Sequence, residues 1–146
     1  MDLLQEEIYV PKLASAGGRF AAALIDFLGM LVLVAIIGYS TGEAYIDTEK
    51  GFSVTLHDGS ALLFVLVWIA AFPVVEGLTG QTIGKKIIKI KVTGKNGNKV
   101  TVLQSLLRHL FDFIDYFLLI GLIIIAVSTS KQRIGDLVAN TIVIEK

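Results

Sequence analysis

No cysteine occurs in this chain of 146 residues, which excludes a disulfide framework, a thiolate nucleophile and a thiolate metal site. Charge is scarce too: charged residues make up 18%, and 13 basic side chains are balanced by 13 acidic ones. With a net charge of zero, no overall field draws the chain to nucleic acid. Proline occurs twice and tryptophan once, so each of those residues is individually informative. What remains is 54% hydrophobic, with a mean hydropathy of +0.74. That balance lies outside the soluble range and makes lipid the main solvent. The length fits one domain over 1–146. At the N-terminus, Asp2, Glu6 and Glu7 stand where a cleavable signal would carry basic residues, so none is expected.

Residues 17–40, GGRFAAALIDFLGMLVLVAIIGYS, have the length and character of a membrane-spanning helix, about 20 apolar residues. Arg19 stands at its entrance and Asp26 a third of the way in. An ionisable group within a span costs about 2.5 to 3.5 kcal/mol on insertion scales, so Asp26 is by default a functional candidate. Seven positions separate the two residues, about two helical turns, which puts them on one face. Ala22, Ala23 and Gly29 lie on or near that face, and small residues there admit a second helix.

Three membrane segments are expected, at about 19–39, 60–79 and 105–129. The second contains Trp68 at mid-span, read as packing, and Pro73, which removes a helix hydrogen bond and predicts a kink able to turn carbonyls towards a polar cavity. Glu76 follows at the span's exit. Between the first two segments, residues 41–59 form a polar loop with Glu43, Asp47, Glu49 and Asp58 against one lysine, Lys50. Residues 80–102, in contrast, carry six lysines and no acid. Positive charge marks cytoplasmic loops, so this loop and the N-terminus are placed inside and the acidic loop outside.

Within the basic loop, IIKIKV alternates with period two and Asn96-Gly97 is a hairpin-turn signal. A basic β-hairpin over about 86–102 is therefore expected at the cytoplasmic surface, with Thr141–Glu145 able to join as a third strand. The third segment leaves two topologies open. A single crossing over 105–129 puts the tail outside, whereas a break near Gly121 returns it inside, where Lys131 and Arg133 favour it.

In this orientation the polar side chains of the three segments converge near one membrane face: Arg19, Asp26, Glu76, Arg108, Asp112 and Asp115. Two arginines then face four carboxylates. Protonation of a carboxylate, recruitment of His109, Lys131 or Arg133, or binding of a cation would each restore the balance. Plainer readings exist for most of these groups. Arg19 also reads as a snorkelling anchor, Glu76 as a solvated span end, Asp112 as a helix-internal partner of Arg108 and His109 as a hydrogen-bonded interfacial residue. Asp26 and Asp115 lie deepest, and for them a role in function or assembly is favoured.

The lysines satisfy the topology rule by themselves, and Lys85, Lys86, Lys89 and Lys91 also suit contact with anionic lipid. They lack the interleaved aromatics that stack bases, so no nucleic-acid partner is expected. GQTIGKK (residues 80–86) is one residue short of a phosphate loop and lacks its Ser or Thr, which rejects that reading. No nucleophile, base and metal set is evident, so no enzyme and no cofactor is expected; the residues do not define a metal site.

GRFAAALIDF, GQTIGKKIIKIKVTGKNGNKVTVLQSLLRHLFDFID and KQRIGDLVANTIVI, taken in that order, resemble the RDD family of small prokaryotic membrane proteins over nearly the whole chain. The family's arginine falls on Arg19 and its first aspartate on Asp26. The second falls on Asp136, with Asp115 as the competing position. Where the family carries Ala-Gly-Thr before the last strand, this chain reads Ala139-Asn140-Thr141. The resemblance implies a multi-pass protein of the prokaryotic inner or plasma membrane, for which transport is a common suggestion.

The combined expectation is an all-α membrane protein with three apolar segments, the third unbroken or broken, and a small basic hairpin or sheet at the cytoplasmic surface. Its function is expected to be transport of a small cation or proton, as a homo-oligomer. Arg19, Asp26, Asp115 and Asp136 would line the pathway, and Glu76, Arg108, Asp112 and Arg133 would support it. The alternative is a membrane scaffold that docks a partner through its basic surface.

Overall fold

Ser15 opens the first helix by accepting a hydrogen bond from the Gly18 N–H at 3.1 Å, an N-cap that satisfies one of the orphan donors of the first turn. The structure, a computed structural model, describes residues 11–47, 51–117 and 132–146. Helix α1, Ala16–Thr41, runs for 26 residues and ends on Gly42 at φ 75°, the left-handed C-cap that glycine adopts without steric cost. At 1.5 Å per residue it is about 39 Å long, enough to cross a 30 Å hydrocarbon core.

A short antiparallel hairpin follows, β1 (Ala44–Asp47) and β2 (Gly51–Val54), within what the sequence predicts to be an irregular polar loop. Glu43 ties this hairpin to the next helix by accepting from the Ser60 hydroxyl and, at 3.4 Å, from the His57 N–H. The Ser60 hydrogen bond holds the Glu43 carboxyl below its ordinary pKa.

The second long helix covers Asp58–Thr79 in three parts: α2 (Asp58–Ile69), a π-helical turn (Ala70–Val74) and α3 (Val75–Thr79). Pro73 lies buried inside the π turn, where a wider turn accommodates a residue with no N–H to donate. The irregularity expected at Pro73 is thus a π bulge. Only 11% of the most apolar window of α1 and 22% of that of Asp58–Thr79 are buried. The core helix of a soluble protein would hide most of such a surface; these two candidate membrane helices leave theirs exposed.

Past Gly80, at φ 78°, come α4 (Ile83–Ile87) and β3 (Ile90–Gly94), then α5 (Val102–Phe117), α6 (Ile134–Val138) and β4 (Thr141–Glu145). Helix α5 is the first part of the expected third segment. Residues 118–131, with the break expected near Gly121, lie outside the described residues. Strand β4 pairs antiparallel with β3 from Ile90↔Glu145 to Gly94↔Thr141. Leu13, just before α1, bridges Ile144, so the tail sits at the N-terminal end of α1.

The expected hairpin over 86–102 is corrected by this pairing. Residues 83–87 are helical, the chain turns through Lys89 at φ 60°, and β3 takes the tail as its main partner. The Asn96-Gly97 turn does form, with the Gly94 N–H donating to the Asn98 carbonyl at 2.9 Å, but its second arm makes one bridge, Thr93↔Lys99. The reason is burial. Pairing with β4 packs Val92 and Val143 with Ala14, Ala22, Ile90 and Val100 in the core, whereas Asn98 and Lys99 are exposed. The described protein is therefore mostly helical, with two small sheets.

Helix α4 lies close against α1. A Cβ on Gly84 would overlap the Ala22 carbonyl oxygen and come within 2.9 Å of Asp26 Cγ, while one on Gly29 would meet nothing within 4 Å. Gly84→Ala should therefore lower the melting temperature of the detergent-solubilised protein, at a cost of about 1 to 3 kcal/mol. Gly29→Ala should leave it unchanged or raise it.

Candidate functional site

Three short helical pieces bring charged groups together at one end of the long helices. The α3 end of the second long helix carries Glu76, α4 carries Lys85, and α6 with the residue before it carries Arg133 and Asp136. Glu76 is fully buried, which excludes its reading as a solvated span end. Its carboxylate faces Lys85 in an ion pair, accepts from the Ser105 hydroxyl at 3.0 Å and lies 3.5 Å from Arg108 Nε. Arg108 reaches on to Asp136 Oδ1 at 3.0 Å, and Asp136 in turn pairs with Arg19. Thus Arg108 bridges two buried acids, and Asp136 joins α5 to the start of α1.

A second branch runs through α5. Asp112 meets Arg133 Nη1 at 3.1 Å and His109 Nδ1 at 2.8 Å. His109 Nε2 points towards Glu76 at 3.7 Å, beyond hydrogen-bond distance. The ring also stands edge-on to Trp68, 6.0 Å between centroids, the packing role expected for that residue. Four cations, Arg19, Lys85, Arg108 and Arg133, so meet three carboxylates, Glu76, Asp112 and Asp136.

Asp26 is held differently. Its oxygens accept from the Thr82 hydroxyl at 2.5 Å and from the Gly84 N–H at 2.8 Å, so the acid of α1 fastens the start of α4. Among the described residues, no cationic side chain lies within ion-pair distance of it. A cavity of about 750 Å³ opens beside these groups, lined by Arg19, Asp26, Lys85, His109, Asp112 and Arg133 together with a larger apolar wall from α1, α2, the π turn and α5. No group of three or more His, Cys, Asp or Glu residues among those described is arranged to hold a metal.

Sequence reasoning places Arg19 beside Asp26; the structure pairs Arg19 with Asp136 instead. The structure brings Arg108, Asp112 and Arg133 together with Glu76 and Asp136. The side chain of Asp115 lies outside the described residues. Lys85, expected among the lipid-facing lysines, is only 8% exposed because Glu76 holds it; Lys86 and Lys89 remain exposed and Lys91 half-buried. Nothing in a run of lysines marks the one that is buried. The available signal is Gly84 before it, the residue that lets α4 approach α1.

The fold and site thus define a helical, membrane-associated protein with a charge network buried at one end of its long helices. The RDD family model matches residues 13–140, and the chain belongs to the RDD family. It is 30% identical over 132 residues to the uncharacterized protein YckC of Bacillus subtilis, covering 86% of this chain and 80% of that protein. No solved structure matches. Asn140, standing for the family's glycine before the last strand, has φ 54°, the left-handed conformation in which asparagine is the common substitute.

Burial by itself raises the pKa of Asp136, but Arg108, Arg19 and Arg133 outweigh it and hold the carboxyl well below the ordinary range. A depressed folded-state pKa stabilises the fold above the unfolded value, about 3.9, and that contribution is lost as pH falls below it. The melting temperature should therefore begin to fall below about pH 4. Asp136→Asn, which leaves Arg19 and Arg108 facing a neutral amide, should cost about 3 to 5 kcal/mol at neutral pH and flatten the acid limb. An unchanged melting temperature would count against the pairing.

Proposed function

We propose that this protein moves a small cation or proton across a prokaryotic inner or plasma membrane, with Asp26 as the principal titrating or coordinating group. The observation that supports this reading most is that Asp26 lines the cavity on two neutral hydrogen bonds, while the neighbouring acids Glu76, Asp112 and Asp136 each face cations of the protein itself. An acid already neutralised by arginine has little to offer a passing cation. Asp26 still does. In this reading Arg19, Asp136 and the rest of the network set the position of α1 against α5, and Asp115 belongs to the pathway.

Three membrane segments, a cytoplasmic N-terminus and a cytoplasmic β3–β4 sheet complete the proposal. The lysine-rich stretch between α3 and α5 supports that orientation, as does the bridge that holds the tail beside the start of α1. Three segments enclose little volume for a path across the membrane, so a homo-oligomer is the proposed working form. Lys86, Lys89 and Lys91 would contact anionic lipid, and no enzymatic step is proposed.

A scaffold is the second reading. The network supports it: four cations and three carboxylates lock α1, α3, α4, α5 and α6 together. The two readings separate on Asp26→Asn. In proteoliposomes with a pH dye inside and sodium or potassium jumps outside, wild type should give flux and an equally folded Asp26→Asn protein should lose it. Full flux in the variant would remove Asp26 from the mechanism, and no flux from well-folded wild type would favour the scaffold. A reporter fused at Lys146 should read as cytoplasmic; an outside signal would refute the proposed topology.

A further inference from the structure

Two stretches of the chain repeat each other in sequence and in geometry. Gln81-Thr82-Ile83-Gly84 opens α4, and Gln132-Arg133-Ile134-Gly135 opens α6. Each five-residue helix is followed by a residue of positive φ, Lys89 at 60° and Asn140 at 54°, and then by a five-residue strand. Gln81 Nε2 donates to the Ile90 carbonyl at 2.8 Å, and Gln132 Nε2 to the Thr141 carbonyl at 2.6 Å. In both cases the acceptor is the first residue of the strand.

The likeness extends to the long helices. Ser15 caps α1 by accepting from Gly18 N, and Thr101 Oγ1 accepts from Gln104 N at 3.2 Å at the start of α5. Two residues before each cap, Leu13 bridges Ile144 of β4 and Lys99 bridges Thr93 of β3. A Cβ on Gly84 would strike the Ala22 carbonyl of α1, and one on Gly135 would lie 2.8 Å from the Arg108 carbonyl of α5. Four residues beyond each carbonyl stands an aspartate, in Ile25-Asp26-Phe27 and Phe111-Asp112-Phe113. Val92 and Val143, the middle residues of β3 and β4, pair with each other, which places a local two-fold axis between them.

The two units differ where it matters electrically. Asp112 holds Arg133, the residue before Ile134-Gly135. Asp26 holds Thr82, at the matching place before Ile83-Gly84. The first unit therefore has the acid without the arginine. The cavity lies between the units, with Ile90 and Val143 from the paired strands and both aspartates among its lining residues; its basic lining residues, Arg19, Lys85 and Arg133, are each paired with an acid of the network, Asp136, Glu76 and Asp112. Its remaining wall is rich in aromatics: Phe20, Phe27, Phe64, Trp68 and Phe72. Cavities of about 300 to 1,000 Å³ with a mostly apolar lining and few polar groups suit small organic molecules, and membrane transport proteins built from repeats place their sites between them.

We propose that the chain is two copies of one structural unit and that the cavity between them takes a lipophilic organic cation, its charge against Asp26 and its apolar body against the aromatic wall. Aromatic faces attract such cations, quaternary ammonium groups above all. The ligand's charge takes the place that the Arg133 guanidinium fills at Asp112. This rests on the cation reading of Asp26 and names the class of cation.

Tetraphenylphosphonium and tetraphenylborate, alike in shape and opposite in charge, test it in lipid nanodiscs. The single tryptophan, Trp68, is the reporter. The phosphonium should quench its fluorescence saturably at one ion per chain, and the borate should not. Asp26→Asn should weaken phosphonium binding about tenfold or more, the equivalent of about 1.4 kcal/mol. Thr82→Arg, which supplies the missing internal cation, should abolish it. Quenching that rises without saturation, or equally for both ions, or unchanged in Asp26→Asn of native circular dichroism, would overturn the proposal. Sodium or proton flux in a protein that binds no phosphonium would overturn it while leaving the transport reading standing. Saturable, Asp26-dependent binding without any flux would support the site and contradict transport.

Discussion

Charges removed from water on the scale seen here, with Arg108, Glu76 and Asp136 each at 2% exposure or less, cost several kcal/mol apiece unless partners repay it. The rest of the structure follows from that constraint. Arg108 can be buried only because Glu76 and Asp136 reach it from two directions, and those acids come from helix ends that must stop at the right level. Glycines at the approach points, Gly84 and Gly135, let the short helices come close enough for the ion pairs to form. The charged end of the molecule is held by electrostatics with a small apolar core at the sheet, while the long helices leave most of their apolar surface exposed.

The same network sets Asp26 apart from the other acids. Glu76, Asp112 and Asp136 are matched by resident cations, whereas Asp26 is held by neutral donors, and the repeat shows the difference: its counterpart Asp112 has Arg133 where Asp26 has Thr82. Near two-fold geometry thus sets a neutral hydroxyl against one aspartate and a guanidinium against the other. Pro73 contributes through the π turn, which places Phe72 on the cavity wall.

The two long helices were legible from hydropathy alone, with ends at Ala16, Thr41, Asp58 and Thr79 that fall within three residues of those expected. Length and apolarity determine such elements locally. Arg108 and Asp112 were legible as network members for the same reason, being charges on an otherwise apolar helix. The Arg19–Asp136 pair was not, because 117 positions separate its members and only the fold brings them together. Family resemblance named both residues without saying that they touch. The hairpin failed on a different ground: IIKIKV alternates as a strand does, but its first residue closes α4, and Lys89 turns the chain before β3 begins. Local periodicity gave no hint that Thr141–Glu145 would outcompete the arm beyond Asn96-Gly97, since the decision rests on burying Val92 against Val143. The repeat was visible as Gln-x-Ile-Gly in two places, but four residues carry little weight until the matching hydrogen bonds are seen.

The central claim is that Arg19 and Asp136 act as one buried unit joining the start of α1 to the tail. A double-mutant cycle measures it most directly: wild type, Arg19→Gln, Asp136→Asn and the double variant, each unfolded in detergent at pH 7. A coupling of about 1 to 3 kcal/mol, with the double variant less damaged than the sum of the single ones, is the predicted result. Additive effects within about 0.5 kcal/mol would mean that the two charges are stabilised separately, and the account of the network would fail.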